Sequence, residues 1–345
     1  YYKPGSLKAK NCRDGRIQLL NFCDQREIPY DLCGKIIVAV NEEETNRLQA
    51  LYQRGLENGL SGIRFLGRTE LREREPHVAA VSALLVPETG IVDYCRVTEE
   101  MASACVEHGG KITTDTHFLS ATNSNQVVKA ETSNGQITAK LLINCAGLFS
   151  DRVARKSGLA PSAMIAPFRG EYYNLAPSAS HLIQNLIYPV PYPRFPFLGV
   201  HFTRTIDGIK EAGPNAVLAF ARKGYSYRNF SIRDMAELAT YPGIFHLASK
   251  HLGVALKEYY RSLFKTEFVK ALQRLVPEIQ DSDLVKGEAG VRAQALLKDG
   301  TLADDFIIQE SESMIHVLNA PSPAATASMS IGNHICEMAI RKLKK

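Results

Sequence analysis

The apolar positions along the chain predict that strands and helices alternate. Residues 35–40 form an apolar run rich in β-branched side chains between Gly34 and Asn41, which is typical of a strand. Residues 42–58 follow with apolar side chains at helical spacing. The same criteria predict further helices over 6–28, 70–75, 93–109, 150–157 and 323–343, and further strands over 111–114, 126–132, 136–141, 285–295, 306–310 and 314–318.

The pattern changes in the middle of the chain. Residues 166–225 mix glycines, prolines and aromatics with short strand-like runs, which favours an antiparallel sheet. Residues 231–285 return to amphipathic helical spacing. The expected fold class is therefore α/β (α+β).

Two stretches resemble the way in which α/β proteins present their backbone to a ligand. Residues 141–147 predict a buried strand that runs into the small-residue turn Cys145-Ala146-Gly147, with a helix behind it. In 316–332 a short strand leads into a loop with two prolines, and Ser322 is expected to be the N-cap of a helix that starts at Pro323. Small side chains would let a flat ligand approach this helix N-terminus, and an ordinary capped helix is the alternative.

Charge and cysteine content exclude several classes of protein. The formal charge of +5 is thinly spread and argues against nucleic-acid binding, and no apolar run approaches the length of a membrane span. Seven cysteines without a CxxC pair predict reduced, mostly buried thiols and no metal site. The basic tail 341–345 is expected to end a solvated helix, with contact to a membrane surface as the alternative. Hydrolase, zinc-protease and P-loop motifs are absent from the sequence.

Three side chains are candidates for chemistry. Arg292 lies in a predicted buried strand and Arg169 at the start of the predicted antiparallel sheet, and a buried guanidinium requires an anionic partner. That partner is either a substrate carboxylate or an internal acid, with Glu171, Glu288, Asp304 and Asp305 as the internal candidates. His201 alternates with apolar residues in a strand, so it is either a satisfied sheet residue or a proton acceptor beside the arginines.

Nine segments resemble the L-2-hydroxyglutarate dehydrogenase/oxidase family, which belongs to the FAD-dependent D-amino-acid-oxidase-like superfamily. The resemblance runs in order through nearly the whole chain. Its segments are 1–10 (YYKPGSLKAK), 90–94 (GIVDY), 143–152 (INCAGLFSDR), 167–173 (PFRGEYY), 187–191 (IYPVP), 194–203 (RFPFLGVHFT), 213–220 (GPNAVLAF), 290–295 (GVRAQA) and 319–326 (NAPSPAAT).

The resemblance implies two domains with the active site between them. A discontinuous, Rossmann-like FAD-binding domain would comprise 1–30, 86–165 and 286–345, and an antiparallel-sheet substrate domain with helices would comprise 31–85 and 166–285. Arg292 matches the arginine that binds the substrate carboxylate in relatives, and Tyr2 and Lys3 would line the pocket. The expected FAD contacts are Cys145, Ala146, Gly147, Asn319, Ala320, Pro321, Ser322, Ala324, Ala325 and Thr326.

The resemblance implies oxidation of L-2-hydroxyglutarate to 2-oxoglutarate, with hydride moving from C2 to flavin N5. Our hypothesis from chemistry and position is that His201 is the base, with the C1 carboxylate on Arg292 and the distal carboxylate near Arg169. Oxygen or a membrane quinone is the expected electron acceptor. We expect a protein in the cytoplasm or peripheral at the inner face of a membrane, and a mitochondrial one in a eukaryote.

Three alternatives remain at the level of sequence. The GxGxxG segment of the family precedes the position that corresponds to Tyr1, so a Rossmann-like domain truncated at its N-terminus is expected. A flavin-free remnant that acts as a binding protein is therefore one alternative. An amine or amino-acid oxidase of the same superfamily is another, and a glycerol-phosphate-type dehydrogenase is the third.

Overall fold

The computed structural model describes residues 1–124, 127–191 and 199–344. Its strands are Tyr30–Asp31 (β1), Lys35–Ala39 (β2), Arg64–Phe65 (β3), Ser82–Val86 (β4), Ile91–Val92 (β5), Phe118–Ser124 (β6), Val127–Thr132 (β7), Gly135–Ala139 (β8), Leu142–Asn144 (β9), Met164–Leu175 (β10), Leu186–Pro189 (β11), His201–Arg204 (β12), Lys210–Gly213 (β13), Val217–Leu218 (β14), Leu284–Leu296 (β15), Ile307–Ser311 (β16) and Met314–Asn319 (β17). Its α-helices are Leu7–Gln25 (α1), Glu42–Glu57 (α2), Arg68–Arg74 (α3), Tyr94–Glu107 (α4), Ser150–Lys156 (α5), Ile232–Ala239 (α6), Pro242–Leu263 (α7), Lys265–Gln273 (α8) and Ser328–Leu343 (α9).

A large mixed sheet is the main layer of the fold. Its described strands follow the order β14-β10-β13-β12-β11-β2-β4-β3, and β15 pairs with β10 along nearly the full length of both. All described pairs are antiparallel except β11 with β2. The prediction of an antiparallel sheet is therefore confirmed for most of its pairs, and β15 belongs to this sheet although the predicted boundary at 286 assigns it to the other domain.

One face of the large sheet is covered by α8, and the other carries the polar groups described below. Phe202, Ile187 and Ile36 lie on the covered face and pack against Phe268 and Leu272 of α8. Their neighbours along each strand point to the opposite face, because side chains alternate in a strand. This alternation decides which candidate residues come together.

The described residues also form a two-stranded antiparallel sheet of β1 and β5 and two three-stranded sheets. In one three-stranded sheet, β9 pairs in parallel with β17, and β17 pairs antiparallel with β16. The other is the meander β6-β7-β8, which the predicted hairpin turn at 133–135 closes. The helix α9 buries Ile331 and Ile335 against Val317 of β17.

Four local expectations are wrong. Residues 111–114 form no strand, because the meander begins only at Phe118. β9 is an edge strand with Ile143 42% exposed, rather than a buried one. The cysteines are free, as expected, but Cys95, Cys105, Cys145 and Cys336 are exposed because they occupy the outer faces of surface helices or a turn. The last helix starts at Ser328 rather than at Pro323.

Candidate active site

The ends of two parallel strands bring the two predicted ligand-binding stretches together. β9 and β17 run side by side, with His316 opposite Asn144. Their carboxyl ends therefore lie at one edge, where the turn Cys145–Gly147 and the loop 319–326 begin. The turn is exposed, and Gly147 takes a φ of +52° that a side chain would disfavour. Two segments far apart in sequence thus form one binding edge.

Two residues of the loop have other roles than those predicted. Ser322 is not a helix N-cap, because the chain turns once more between Pro323 and Ala327 before α9 begins. Asn319 is 2% exposed, and its amide donates to the carbonyl of Asp305 at 2.8 Å. It therefore fixes the base of the loop from inside, whereas Ala320, Ser322 and Ala325 are exposed.

A cavity of about 410 Å³ extends from this loop to the large sheet. Ser322, Pro323 and Thr326 line it at one end, and Lys35 and Tyr188 line it at the other. α9 begins without a side-chain cap, and the N–H of its first residue, Ser328, donates to the carbonyl oxygen of Ala325 in the preceding turn. An open cavity and small loop side chains together fit a flat group such as a flavin.

The open face of the large sheet gathers four polar side chains. His201 of β12 stacks on Tyr188 of β11, with ring centroids 4.0 Å apart and an interplanar angle of 22°. Arg292 of β15 forms a hydrogen bond with Tyr172 of β10. The strand register places all four side chains on the same face. His201 lies opposite Gly213, and Arg292 lies opposite Phe168. Phe168 and Tyr172 are four positions apart in β10, so their side chains point to the same side. Tyr188 also lines the cavity, whereas His201 and Arg292 are not among its lining residues.

Burial sets the protonation state of His201. Its Nδ1 lies 2.9 Å from the carbonyl oxygen of Gly199, which can only accept, so Nδ1 carries the proton and Nε2 is free to accept one. Burial, opposed in part by the hydrogen bond to Gly199, lowers the pKa of His201 to about 4, and the charges of Arg292 and Lys35 contribute to this decrease. The imidazole is therefore neutral at physiological pH, as a proton acceptor must be.

Arg169 does not join this site. It follows Phe168 in β10, so its side chain points to the face opposite Arg292. It is 1% exposed, its Nε lies 3.3 Å from Glu171 Oε1, and its guanidinium lies 3.8 Å from the Tyr227 ring centroid. The expectation that Arg169 binds the distal carboxylate is wrong, and the internal ion pair with Glu171 is the alternative that holds.

The first residues of the chain contribute in part as expected. Tyr1 and Tyr2 line the cavity. Lys3 has an exposed side chain outside the lining, and its carbonyl oxygen accepts hydrogen bonds from Ser6 at the start of α1. A substrate contact of Tyr2 therefore stays a prediction, and Lys3 does not line the cavity.

Sequence reasoning missed Lys35 and Tyr188. Lys35 opens the strand β2, and its Nζ lies 4.4 Å from the Tyr1 ring centroid and 5.2 Å from that of Tyr188. The available signal was a lysine at the start of an apolar run, which usually indicates only a strand end at the surface. Of the motif 194–203, residues 194–198 lie outside the described residues.

Comparisons with known proteins identify the family of this chain. The family model described as FAD dependent oxidoreductase (DAO) matches residues 1–338. An L-2-hydroxyglutarate dehydrogenase from Indibacter alkaliphilus is 49% identical over 99% of this chain and 86% of its own length. The mitochondrial L-2-hydroxyglutarate dehydrogenase of Homo sapiens is 42% identical over 98% of this chain and 76% of its own length.

Solved structures share the fold at low sequence identity. L-alpha-glycerophosphate oxidase from Mycoplasma pneumoniae, with FAD bound, superposes with a TM-score of 0.75 at 21% identity, over 100% of this chain and 82% of that one. Glycine oxidase from Geobacillus kaustophilus gives a TM-score of 0.71 at 16% identity, over 99% and 81%. At this identity the likeness shows the fold alone.

Proposed function

This chain belongs to the DAO family of FAD-dependent oxidoreductases, and on that premise we propose that it oxidises L-2-hydroxyglutarate to 2-oxoglutarate. Relatives of that name are 41–49% identical over nearly the whole chain. The enzyme class is a FAD-dependent 2-hydroxyacid dehydrogenase or oxidase that acts on a CH–OH donor. The small-molecule partner is a 2-hydroxy acid.

The cofactor is FAD, and the binding edge described above is its proposed site. Cys145, Ala146 and Gly147 would contact its ADP half, while Ala320, Pro321, Ser322, Ala324, Ala325 and Thr326 would lie against the flavin. The bound cofactor supplies the acceptor for the hydride that leaves C2. Asn319 supports the loop through its bond to Asp305.

The side chains of the sheet perform the remaining chemistry. Arg292 binds the C1 carboxylate, which compensates for the burial that lowers the pKa of its guanidinium. Nε2 of His201 accepts the proton of the C2 hydroxyl, since Nδ1 is held by Gly199. Tyr188 and Tyr172 fix the orientations of the imidazole and the guanidinium.

The observation that carries this proposal is a neutral histidine and a buried arginine on one sheet face beside a cavity that reaches the cofactor loop. The purified protein, after incubation with FAD, should show flavin absorption bands that bleach when L-2-hydroxyglutarate is added without oxygen. Glycine, sarcosine and glycerol 3-phosphate should leave the bands unchanged. Bleaching by an amine would favour the amine-oxidase alternative, and a protein that binds no FAD would favour the remnant.

Electrons leave the enzyme to oxygen or to a membrane quinone, and we propose peripheral contact with a membrane on the second route. No described helix has the length and apolar composition needed to cross a bilayer. The helix α7, however, exposes Phe245, Leu252, Leu256 and Leu263 along one side. Its only carboxylate, Glu258, is buried, and Lys250 and Arg261 lie on the opposite side of the helix from these apolar residues. The apolar side is the proposed membrane contact.

The proposed location follows from the proposed acceptor. A quinone-linked enzyme would be peripheral at the inner face of a membrane, and an oxygen-linked one would reside in the cytoplasm. The division into an FAD-binding part (1–30, 86–165 and 286–345) and a substrate part (31–85 and 166–285) stays a prediction, with β15 structurally in the large sheet.

A further inference from the structure

Lys35 is a cation without an anionic partner in a partly enclosed position. Its Nζ lies over the ring of Tyr1 at 4.4 Å and over that of Tyr188 at 5.2 Å. Burial lowers its pKa from 10.5 to about 8, so it is still mostly charged at neutral pH. The thiol of Cys12 is a neighbour, but burial raises its pKa, so it stays neutral. Aromatic faces alone compensate only part of the lost hydration.

No carboxylate of the described residues lies within ion-pair distance of this lysine. Among the residues that the structure describes, no ion pair or hydrogen bond of the Lys35 ammonium group is found. The stretches outside the description, 125–126, 192–198 and 345, contain no Asp or Glu side chain. A half-buried cation without an acidic partner among the described residues indicates that a ligand supplies the anion.

Lys35 shares its surroundings with both halves of the proposed active site. It lies on the same sheet face as Tyr188, two positions from Ile37, which pairs with Tyr188. Tyr188 in turn stacks on His201. The lysine also lines the cavity that Ser322 and Thr326 line from the side of the cofactor loop. Its charge and that of Arg292 both contribute to the lowered pKa of His201.

We propose that Lys35, with the rings of Tyr1 and Tyr188, forms a carboxylate subsite that binds the distal carboxylate of a dicarboxylate substrate. This inference rests on the proposed function. It assigns to Lys35 the role that the sequence predicted for Arg169, binding of the distal carboxylate. A 2-hydroxy diacid would be bound at C1 by Arg292 and at its far end by Lys35, with its hydroxyl at His201. Selection of diacids over monoacids then depends on Lys35.

The variant Lys35→Met tests the subsite in the FAD-loaded enzyme. With L-2-hydroxyglutarate, kcat/KM should fall about 10- to 100-fold, the range expected for a lost hydrogen bond to a charged group. With L-2-hydroxyvalerate, which has a methyl group in place of the distal carboxylate, kcat/KM should change little. Lys35→Arg should keep most of the preference for the diacid. An equal loss with both substrates would overturn the proposal, because it would assign Lys35 to the chemistry or to the fold.

Binding and stability give readouts that do not need turnover. Calorimetric titration with glutarate should show binding to the unmodified protein and its loss in Lys35→Met, whereas butyrate should bind both weakly. At pH 7 the Tm of the ligand-free variant should be unchanged or higher, because an unpaired buried charge is removed. A lower Tm with unchanged glutarate binding would mean a structural role, and reduced FAD occupancy would mean a cofactor contact. Either result would overturn the subsite.

Lys265→Met is the matched control. Lys265 also lies over a tyrosine ring, that of Tyr173 at 5.9 Å, but on the other face and paired with Asp281. It should alter neither substrate preference nor glutarate binding. If the unmodified enzyme fails to oxidise L-2-hydroxyglutarate while glutarate binding still requires Lys35, the proposed function fails and the subsite stands. If the unmodified enzyme oxidises L-2-hydroxyglutarate and Lys35→Met keeps the same preference for the diacid, the proposed function stands and the subsite fails.

Discussion

At the scale of single residues, the partner of a buried charge separates structural arginines from ligand-binding ones. Arg169 is buried with Glu171 Oε1 3.3 Å from its Nε and the Tyr227 ring against its guanidinium, although its nitrogens have no hydrogen-bond partner among the described residues. Arg292 forms a hydrogen bond with the neutral Tyr172, and our proposal is that a substrate carboxylate binds its guanidinium. Phe168 pairs with Arg292, and Arg169 is the next residue in β10. The two arginines therefore lie on opposite faces of the sheet and have different roles.

The variant Arg292→Ala should lower kcat/KM for L-2-hydroxyglutarate by about two orders of magnitude, which corresponds to ~3 kcal/mol of lost transition-state binding. The physical reason is the loss of a charge-assisted bond to the C1 carboxylate. Steady-state kinetics of the FAD-loaded protein would measure it. Arg204→Ala removes an arginine of the same sheet that pairs with Asp31 instead, and should leave kcat/KM nearly unchanged. Equal values for Arg292→Ala and the parent would exclude Arg292 from the site.

The pH dependence of kcat/KM should report His201. Its pKa is lowered to about 4, so the basic form is present above that pH and is lost as the pH falls through it. We therefore expect kcat/KM to be independent of His201 ionisation between pH 5 and 7 and to decrease below pH 5, as far as the fold persists. His201→Asn should lower kcat by 10²- to 10⁴-fold. A decrease in kcat/KM centred near pH 6.5, the ordinary pKa of histidine, would identify a solvated base and contradict this assignment.

At the scale of elements, close packing between helices shapes the cofactor loop. Gly15 lies in the middle of α1, where a glycine weakens a helix, yet its position faces the start of α9. A Cβ at Gly15 would lie 2.6 Å from Ala327 Cα and 3.0 Å from the carbonyl oxygen of Thr326. The glycine is thus required by the backbone that follows the cofactor loop.

The variant Gly15→Ala should displace the segment 326–327 and reduce FAD occupancy, measured by the ratio of flavin to protein absorbance. It should also destabilise the fold by about 1–3 kcal/mol, the usual cost of overpacking. Gly332→Ala is the control within α9, since a Cβ there meets nothing within 4 Å. That change should stabilise the protein by about 0.5–1 kcal/mol. Full occupancy in Gly15→Ala would show that the loop tolerates the shift.

The exposed side of α7 makes a prediction for membrane contact. The double variant Leu252→Glu/Leu256→Glu should reduce co-sedimentation with vesicles that contain anionic lipid, because it adds negative charge and removes apolar area. Ile137→Glu, at an exposed apolar residue of the meander, is the control and should bind as the parent does. Activity with a soluble electron acceptor should persist in all variants. Vesicle binding that is unchanged in the double variant would exclude α7 as the contact.

At the scale of the whole molecule, a buried ion pair links the two halves of the site. Asp151, in the helix behind the cofactor turn, is fully buried and pairs with Arg222 after β14, whose guanidinium contacts both carboxylate oxygens at 2.5 and 2.8 Å. Burial raises the pKa of Asp151, but the hydrogen bonds and charge of Arg222 outweigh it, so the pKa is lowered overall. The pair therefore contributes stability above pH 3.8 that is lost as the pH falls below it.

The variant Asp151→Asn should destabilise the protein by about 3–5 kcal/mol at pH 7, because the buried Arg222 loses its close ion pair and keeps only Glu237, 3.8 Å from its Nη2. Urea denaturation monitored by circular dichroism would measure the free energy of unfolding. Asp14→Asn, which breaks the exposed pair with Arg13, should change it little because water screens that pair. A small effect of Asp151→Asn would mean that water or a neighbouring acid replaces the carboxylate.

The sequence by itself determined the elements and the family, since periodicity and turn residues act over a few positions and the nine motifs stand in order. It also indicated that Arg292 and His201 carry chemistry. Only the tertiary structure decided which residues meet. Strand alternation and register turned Arg169 away from Arg292, and the parallel pairing of β9 with β17 joined the cofactor turn to the cofactor loop. Lys35 gained its significance only when Tyr1 and Tyr188, distant in sequence, enclosed it without an acid, because the cost of burying a charge depends on neighbours that local sequence does not specify.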